Sequence, residues 1–312
     1  MRFFFVRHGE SESNVSGHWQ GQGDSPLSMR GREQARALGE RMRAQQFSRV
    51  VSSDLSRAHD TARAIFDRPE VSPAWREVDV GRWEGVLREK VAELFPDEVR
   101  RLQQGATDVK IGGAESWDDL AARADQTFHR LVEETEDDPV LVVAHGGILS
   151  NLLAGLFGLR QRFPKPLGRI SNASVTEIQL ENGEAVLQRF NDSRHYAEAG
   201  QWLEERKGKG DLILTVAVIS KASATTGLAS ESVAAQLTGP VETATPELAA
   251  LPALLEREPR ERTLACTADE FRTLVAEILG VPAHRIGQAG PGSNGRLVVS
   301  RKMTSLADLH LR

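Results

Sequence analysis

Apolar residues gather into short runs that stop abruptly: Phe3–Val6, the centre of Arg49–Ser53, and Val140–Ala144. Each ends at a cluster of polar residues or glycines. Short uninterrupted apolar runs suit central strands of a parallel sheet, buried on both faces. Helical spacing of apolar positions covers Met29–Gln45, Ser56–Phe66, Trp117–Glu134 and Ile148–Leu156. Strands alternating with helices predict an α/β fold with a mainly parallel central sheet flanked by helices. Further along, Ser174–Leu180 and Ala185–Phe190 flank Asn182-Gly183, a pair that favours a tight hairpin turn. The acidic run Glu133–Asp138, closed by Pro139, reads as a solvated helix end and turn.

The pattern changes after Trp202. Glu204–Gly210 is charged, carries glycines and lacks apolar periodicity, which predicts a linker over 204–210. It separates an expected first domain, 1–203, from an expected C-terminal α/β domain, 211–312. The second part restarts with a strand candidate, Leu212–Ile219. It also holds Phe271, Leu274, Val275, Ile278 and Leu279 at helical spacing, an apolar face to bury.

At 312 residues, with 40% hydrophobic and 27% charged positions, the chain has room for one large or two ordinary globular domains. A net charge of −5 argues against a nucleic-acid partner, whose binding face would be basic. The single cysteine, Cys266, excludes an intramolecular disulfide framework and suits a reducing compartment. No secretory pattern is visible at the N-terminus. The longest apolar stretch, Ile148–Leu159, is interrupted by Ser150 and Asn151 and is too short to span a bilayer. A cytoplasmic location with no membrane partner is the expectation.

The chemistry sits where the apolar runs end. Arg7-His8-Gly9 follows the first, Ser52-Ser53 and then Arg57 follow the second, and His145-Gly146-Gly147 follows the third. In parallel sheets ligands bind at these strand ends. Glycines there let backbone approach a ligand, and the next helix offers amide donors at its N-terminus. An imidazole nucleophile facing fixed arginines suits a phosphoryl group, whose charge spreads over its oxygens. Arginine matches paired oxygens because its planar fork donates two parallel hydrogen bonds. No metal-ligand spacing is present, so neither a metal nor another cofactor is expected.

Several blocks resemble the histidine phosphatase superfamily, the phosphoglycerate-mutase-like fold: Arg7–Ser11, Trp19-Gln20-Gly21, Asp24–Ser28, Ser52–Ala62, Trp75–Val78, Gly81–Gly85 and Ala144–Gly147. They match in order and spacing over roughly Met1 to Tyr196. The resemblance implies that His8 becomes phosphohistidine while Arg7, Arg57 and a cationic His145 hold the phosphoryl oxygens. Glu77 matches the family's proton donor, with Glu84 as a rival carboxylate nearby. Asn14, Gln20 and Gly21 match positions at or beside the phosphoryl group. Gly146 lies where backbone meets the ligand, and Ser116 lies in a segment that borders the pocket in relatives.

The compact segment Glu77–Gly113 and its block Gly81–Gly85 resemble the phosphatase branch, so hydrolysis of a small phosphorylated metabolite is expected. A cofactor-dependent phosphoglycerate mutase is the enzyme alternative, and a phospho-ligand or phosphoprotein-binding module without turnover is the alternative of another class. A homodimer is compatible with the sequence. The tail echoes the first domain twice. Ala229–Leu237 with Pro240 resembles Ala58–Phe66 with Pro69, and Leu264–Gly280 resembles Val142–Gly158. In that alignment Leu228 replaces Arg57, Thr267 replaces His145, and no Arg-His-Gly occurs downstream. Two readings stay open: a shortened, degenerate copy of the fold, or chance likeness between α/β segments.

Overall fold

The computed structural model describes residues 1–160, 166–196, 206, 211–218, 241–243, 251, 261–291, 293–299 and 304–311. The chain divides into two compact units, Met1–Arg160 with Ile170–Val175, and Gln161–Arg169 with Thr176–Arg312. Among the described residues no helix is long and apolar enough to cross a membrane.

In the first unit the elements run β1 (Arg2–Arg7), α1 (Glu12–Ser16), α2 (Met29–Met42), β2 (Arg49–Ser52), α3 (Ser56–Arg63) and β3 (Glu70–Val71). They continue with α4 (Arg88–Leu94), α5 (Pro96–Gln103), α6 (Trp117–Glu133), β4 (Val140–Ala144) and α7 (Gly146–Leu156). The strands pair in the order β3-β2-β4-β1, every pair parallel. This is the mainly parallel sheet that the apolar runs predict. Alternate residues of β1 face opposite layers. Phe4 and Val6 join a buried cluster with Leu38 and Met42 of α2 and Ala58 and Ala62 of α3. Phe3 and Phe5 meet Phe128 of α6, with ring centroids 5.0 and 5.9 Å away. Both faces are covered, which is why the run needs no polar alternation.

The register decides where function can lie. Arg7 pairs with Ala144, and Ser52 with Val143, so β1, β4 and β2 end at one level. The residues that follow them, His8, His145 and Ser53, therefore emerge along one edge of the sheet.

The hairpin β5 (Val175–Glu181) and β6 (Glu184–Asp192) falls, apart from Val175, in the second unit. Its turn is Asn182-Gly183 with φ of 52° and 83°, the positive angles that a two-residue turn of this kind requires. The same unit holds β7 (Leu212–Val218), β8 (Val241–Thr243), β9 (Glu261–Cys266), α8 (Ala268–Leu279), β10 (Asn294–Val299) and β11 (Thr304–His310). Its strands lie in the order β5-β6-β11-β10-β7-β9-β8, with β7, β9 and β8 parallel and β10 antiparallel to β7 and β11. The face predicted for 271–279 is buried on α8, with Phe271 and Leu279 fully enclosed. The linker other than Arg206, and the echo at 228–240, lie outside the described residues.

The loop after β1 is seated directly on α2. Ser28 N–H donates to Glu10 O over 2.9 Å, Glu10 N–H to Gln34 Oε1 over 2.8 Å, and Gly9 N–H to Thr61 Oγ1 over 3.0 Å. Such closeness needs glycine at 31, where a methyl group would run into the Glu10 carbonyl oxygen. In a free helix Gly→Ala stabilises by about 1 kcal/mol. Here overpacking outweighs that gain, and Gly31→Ala is expected to destabilise by about 1–3 kcal/mol. Denaturant titration checks the sign; a gain in stability would mean that the loop is not seated as described.

Candidate active site

His8 is the first residue beyond β1 and is almost wholly buried. Its Nδ1 lies 2.6 Å from Gly9 O. A carbonyl only accepts, so Nδ1 carries the proton and the lone pair is left on Nε2. Its ring centroid is 5.1 Å from that of His145, the N-cap residue of α7. His145 Nε2 is 2.8 Å from Ser53 Oγ, and its Nδ1 is buried without a hydrogen-bond partner among the described residues.

The two arginines reach the histidines from different elements. Arg7 ends β1 and donates from Nη1 to Ile170 O over 2.7 Å. A Cβ added to Gly146 would sit 3.4 Å from Arg7 Nε, so the glycine and the guanidinium are packed together. Arg57, in the first turn of α3, is only 1% exposed. It donates to the carbonyls of Gly21 and Gly23 over 2.7 and 2.9 Å, and its Nε is buried without such a partner. Burial lowers the Arg57 pKa to about 10, opposed by the charges of Glu77, Asp24 and Glu84. Burial and then the charge of Arg57 hold both histidines well below the ordinary imidazole value. Arg7 lowers both further, and His8 adds to the effect on His145. Burial and the surrounding positive charge thus favour the neutral form of His145, against the cationic form that the resemblance implies.

Glu77 faces this cluster through the start of α7. Its Oε2 accepts from Gly147 N–H over 2.8 Å, and its Oε1 from Ile148 N–H over 3.2 Å and from Val78 N–H over 2.9 Å. A side chain on Gly147 would collide with this carboxylate, which explains the second glycine after His145. Glu84 is engaged elsewhere. It accepts from the amides of Gly21 and Gly23, both over 3.0 Å, and so clamps the loop whose carbonyls hold Arg57.

Two amides are turned so that their NH₂ groups can donate. Gln20 Oε1 accepts from Ser11 Oγ over 2.7 Å, and its Nε2 is buried without a hydrogen-bond partner among the described residues. Asn14 Oδ1 accepts from Ser11 N–H and from Asn172 Nδ2, over 3.3 and 3.2 Å. Asn172 also donates to His8 O over 3.0 Å, so it ties Asn14 to the histidine loop. Ser116 is placed differently. Its buried hydroxyl caps α6 in a reciprocal pair with Asp119, and no described hydrogen bond carries it into the histidine cluster. Ser53 stands at its strand end in the sequence reading but without a role, and Asn172 and Arg123 carry no signature there, as short polar residues and helix arginines seldom do.

This edge of the sheet presents a buried imidazole with a free Nε2 lone pair, fixed guanidiniums and a carboxylate side by side, an arrangement suited to phosphoryl chemistry. The histidine phosphatase superfamily (branch 1) model matches residues 3–193. The chain belongs to that superfamily, and it is a phosphoric monoester hydrolase. It is 34% identical over 202 residues to the metal-independent phosphoserine phosphatase of Arabidopsis thaliana, covering 62% of this chain and 83% of that one. It is 32% identical over 189 residues to a probable phosphoglycerate mutase of Enterobacter sp. strain 638, covering 58% and 86%. Among solved structures it is similar to a mycobacterial glucosyl-3-phosphoglycerate phosphatase in complex with VO3. That likeness has a TM-score of 0.55 at 32% identity and covers 61% of this chain and 98% of the other.

The depressed histidines tie stability to pH. Unfolded, each binds a proton near pH 6.5, whereas the folded site keeps both neutral to lower pH. The unfolded chain then holds more protons, so their contribution is complete above pH 6.5 and is lost as pH falls through the folded values. The slope reaches about 1.4 kcal/mol per pH unit for each histidine. Urea titrations between pH 7.5 and 5.5 should show a shallower loss for His8→Gln and His145→Gln than for the parent chain. Identical slopes would contradict neutral burial.

Proposed function

We propose that the protein hydrolyses a small phosphorylated metabolite through a phosphohistidine on His8. The observation that carries this is the His8 ring itself: Nδ1–H is tied to Gly9 O, and the ring lies among Arg7, Arg57 and His145. In the first step the Nε2 lone pair attacks phosphorus in line, and the P–O bond to the alcohol breaks. Glu77 gives its proton to the departing oxygen from Oε2, which accepts one described N–H and has its second lone-pair position to carry that proton. In the second step water attacks the phosphohistidine and its proton passes to Glu77. The P–N bond breaks and inorganic phosphate leaves. Arg7, Arg57, His145, Asn14 and Gln20 supply donors to the phosphoryl oxygens. The amides and carbonyls around Gly21 and Gly146 set how closely it approaches. No divalent ion is needed for this charge balance, in keeping with the name of the Arabidopsis relative.

Hydrolysis is favoured over mutase chemistry by the state of the charges over the site. A mutase must rebind a phosphoglycerate and exclude water, which calls for uncommitted basic residues. Of the six basic residues between Glu77 and Gly113, the sixth being Arg88, five are in described ion pairs: Arg82 with Glu98, Lys90 with Glu93, Arg100 with Asp97, Arg101 with Asp108 and Lys110 with Asp119. Acid-labile phosphoryl labelling and turnover of nitrophenyl phosphate, both in excess chelator, test the core of the proposal. Both are expected in the parent chain and absent in His8→Ala. Labelling that survives the substitution, or turnover that needs an added metal, would overturn it.

We take 1–203 as the catalytic region, 204–210 as the linker and 211–312 as a non-catalytic domain that is a shortened copy of the first fold. Strand order supports the copy. In the first unit the fourth strand inserts between the first two, as β2-β4-β1, and in the second β9 inserts between β8 and β7, also parallel. A helix follows the inserted strand in both, with His145 capping one and Thr267 the other. Cys266 beside it is buried, its thiol pushed up to about 12 by burial, and is no nucleophile. Thr267→Ala should cost about 1 kcal/mol of stability through the lost cap and leave turnover unchanged. A large fall in turnover, with the fold intact by circular dichroism, would place the tail in the catalytic machinery.

A further inference from the structure

Arg123, in the second turn of α6, is absent from every role described above, yet all five of its N–H donors are committed. Nε donates to Glu115 Oε1 over 2.9 Å, and Nη2 to Glu115 Oε2 over 2.9 Å. Nη1 donates to Ala74 O and Arg76 O over 3.0 and 2.8 Å, and Nη2 also to Glu77 O over 3.1 Å. A guanidinium has five such donors and no more. None is left for substrate, so by hydrogen bonding Arg123 reaches the chemistry only through the segment 74–77, while its charge adds a smaller push against protonation of His145. Glu115 closes the frame from the other side, accepting from Asp79 N–H over 3.0 Å and donating its own N–H to Asp79 O over 3.1 Å. The Arg123 and Glu115 side chains are only 24% and 14% exposed, so the pair escapes most of the screening that weakens surface ion pairs.

We propose that Arg123, held by Glu115, is a positioning residue that fixes the main chain of 74–79 and thereby aims the Glu77 carboxyl at the leaving oxygen. This rests on the reading of Glu77 as proton donor. Geometry gives the reason for arginine: three carbonyls and a carboxylate converge on one plane, which a fork can satisfy and an ammonium cannot. Backbone fixed on both sides of Glu77 leaves only its own side-chain torsions free, and the amides of Gly147 and Ile148 settle those. Without Arg123 the Ala74 and Arg76 carbonyls lose this donor and Glu77 O keeps only Gln22 Nε2, at 3.2 Å, so Glu77 loses its aim, while His8, Arg7 and Arg57 keep their own contacts.

The test uses the full chain and two substrates that differ in their need for a proton. Nitrophenolate leaves without one, whereas the alkoxide of an alkyl phosphate such as glycerol phosphate does not. Glu77→Gln should lower kcat on the alkyl ester by about 10²–10⁴-fold and on nitrophenyl phosphate far less, the range of a general acid. Arg123→Ala should show the same contrast at smaller size, roughly tenfold or more on the alkyl ester against at most about threefold on the aryl ester, with little change in KM. Arg123→Lys should recover little, and Arg123→Ala added to Glu77→Gln should cost nothing further on the alkyl ester. Equal losses of Arg123→Ala on both substrates, or additive losses in the double variant, would overturn the proposal. Absence of contrast in Glu77→Gln would instead remove the proton-donor reading. Should Arg123→Ala fail to fold by circular dichroism, Glu115→Gln is measured the same way, and equal losses there overturn the proposal too.

Discussion

Parallel pairing of β1 with β4, and of β4 with β2, is the constraint on which the site depends. Parallel strands in register finish at one edge, and three stretches separated by about half the chain deliver His8, Ser53 and His145 there together. The cost is a sheet buried on both faces, met by aromatic and branched side chains of β1 facing α2 and α3 on one side and α6 on the other. Slipping any of these strands by one residue would turn its apolar set around and move the residue that follows it by a full residue rise. Core packing and the meeting of His8, Ser53 and His145 are thus enforced by the same register.

The site carries its charge with little direct compensation. Arg57 is buried against carbonyl oxygens rather than carboxylates, and both histidines give up their protons under that field. Burying positive charge is costly unless an anion answers it. On the proposed mechanism a phosphoryl dianion supplies that answer. Neutral His8 is also the form with a free lone pair, so the same field that would attract phosphate leaves the imidazole ready to attack.

The strands, the hairpin and the main helices were legible because each is bounded by an abrupt change in apolar pattern. Phe3–Val6 and Val140–Ala144 fall inside their strands, and Asn182-Gly183 is the turn. Helices α4 and α5 were not foreseen, since α4 buries only Val91 and α5 buries nothing, leaving no stripe to read. Helix α2 stops at Met42 rather than at Gln45. In the site, His8, Arg7, Arg57, His145 and Glu77 were marked by motif blocks. The parts that aim them were not: Asn172 lies in a loop far along the chain, and Arg123 looks like any helix arginine. Glu84 was visible as a carboxylate, but only its contacts with Gly21 and Gly23 separate it from Glu77.

Helices α7 and α8 begin in opposite ways. Thr267 closes α8 with a reciprocal cap to Glu270, so that helix start satisfies itself. His145 offers α7 no side-chain cap, and the amides of Gly147 and Ile148 are answered by Glu77, seventy positions upstream. A good cap is worth about 1 kcal/mol, so the most stabilising residue for position 145 would be serine, threonine, aspartate or asparagine. On the proposed mechanism any of them removes a donor to the phosphoryl oxygens, so position 145 is a place where optimising thermostability alone would lead an engineer to a poorer catalyst.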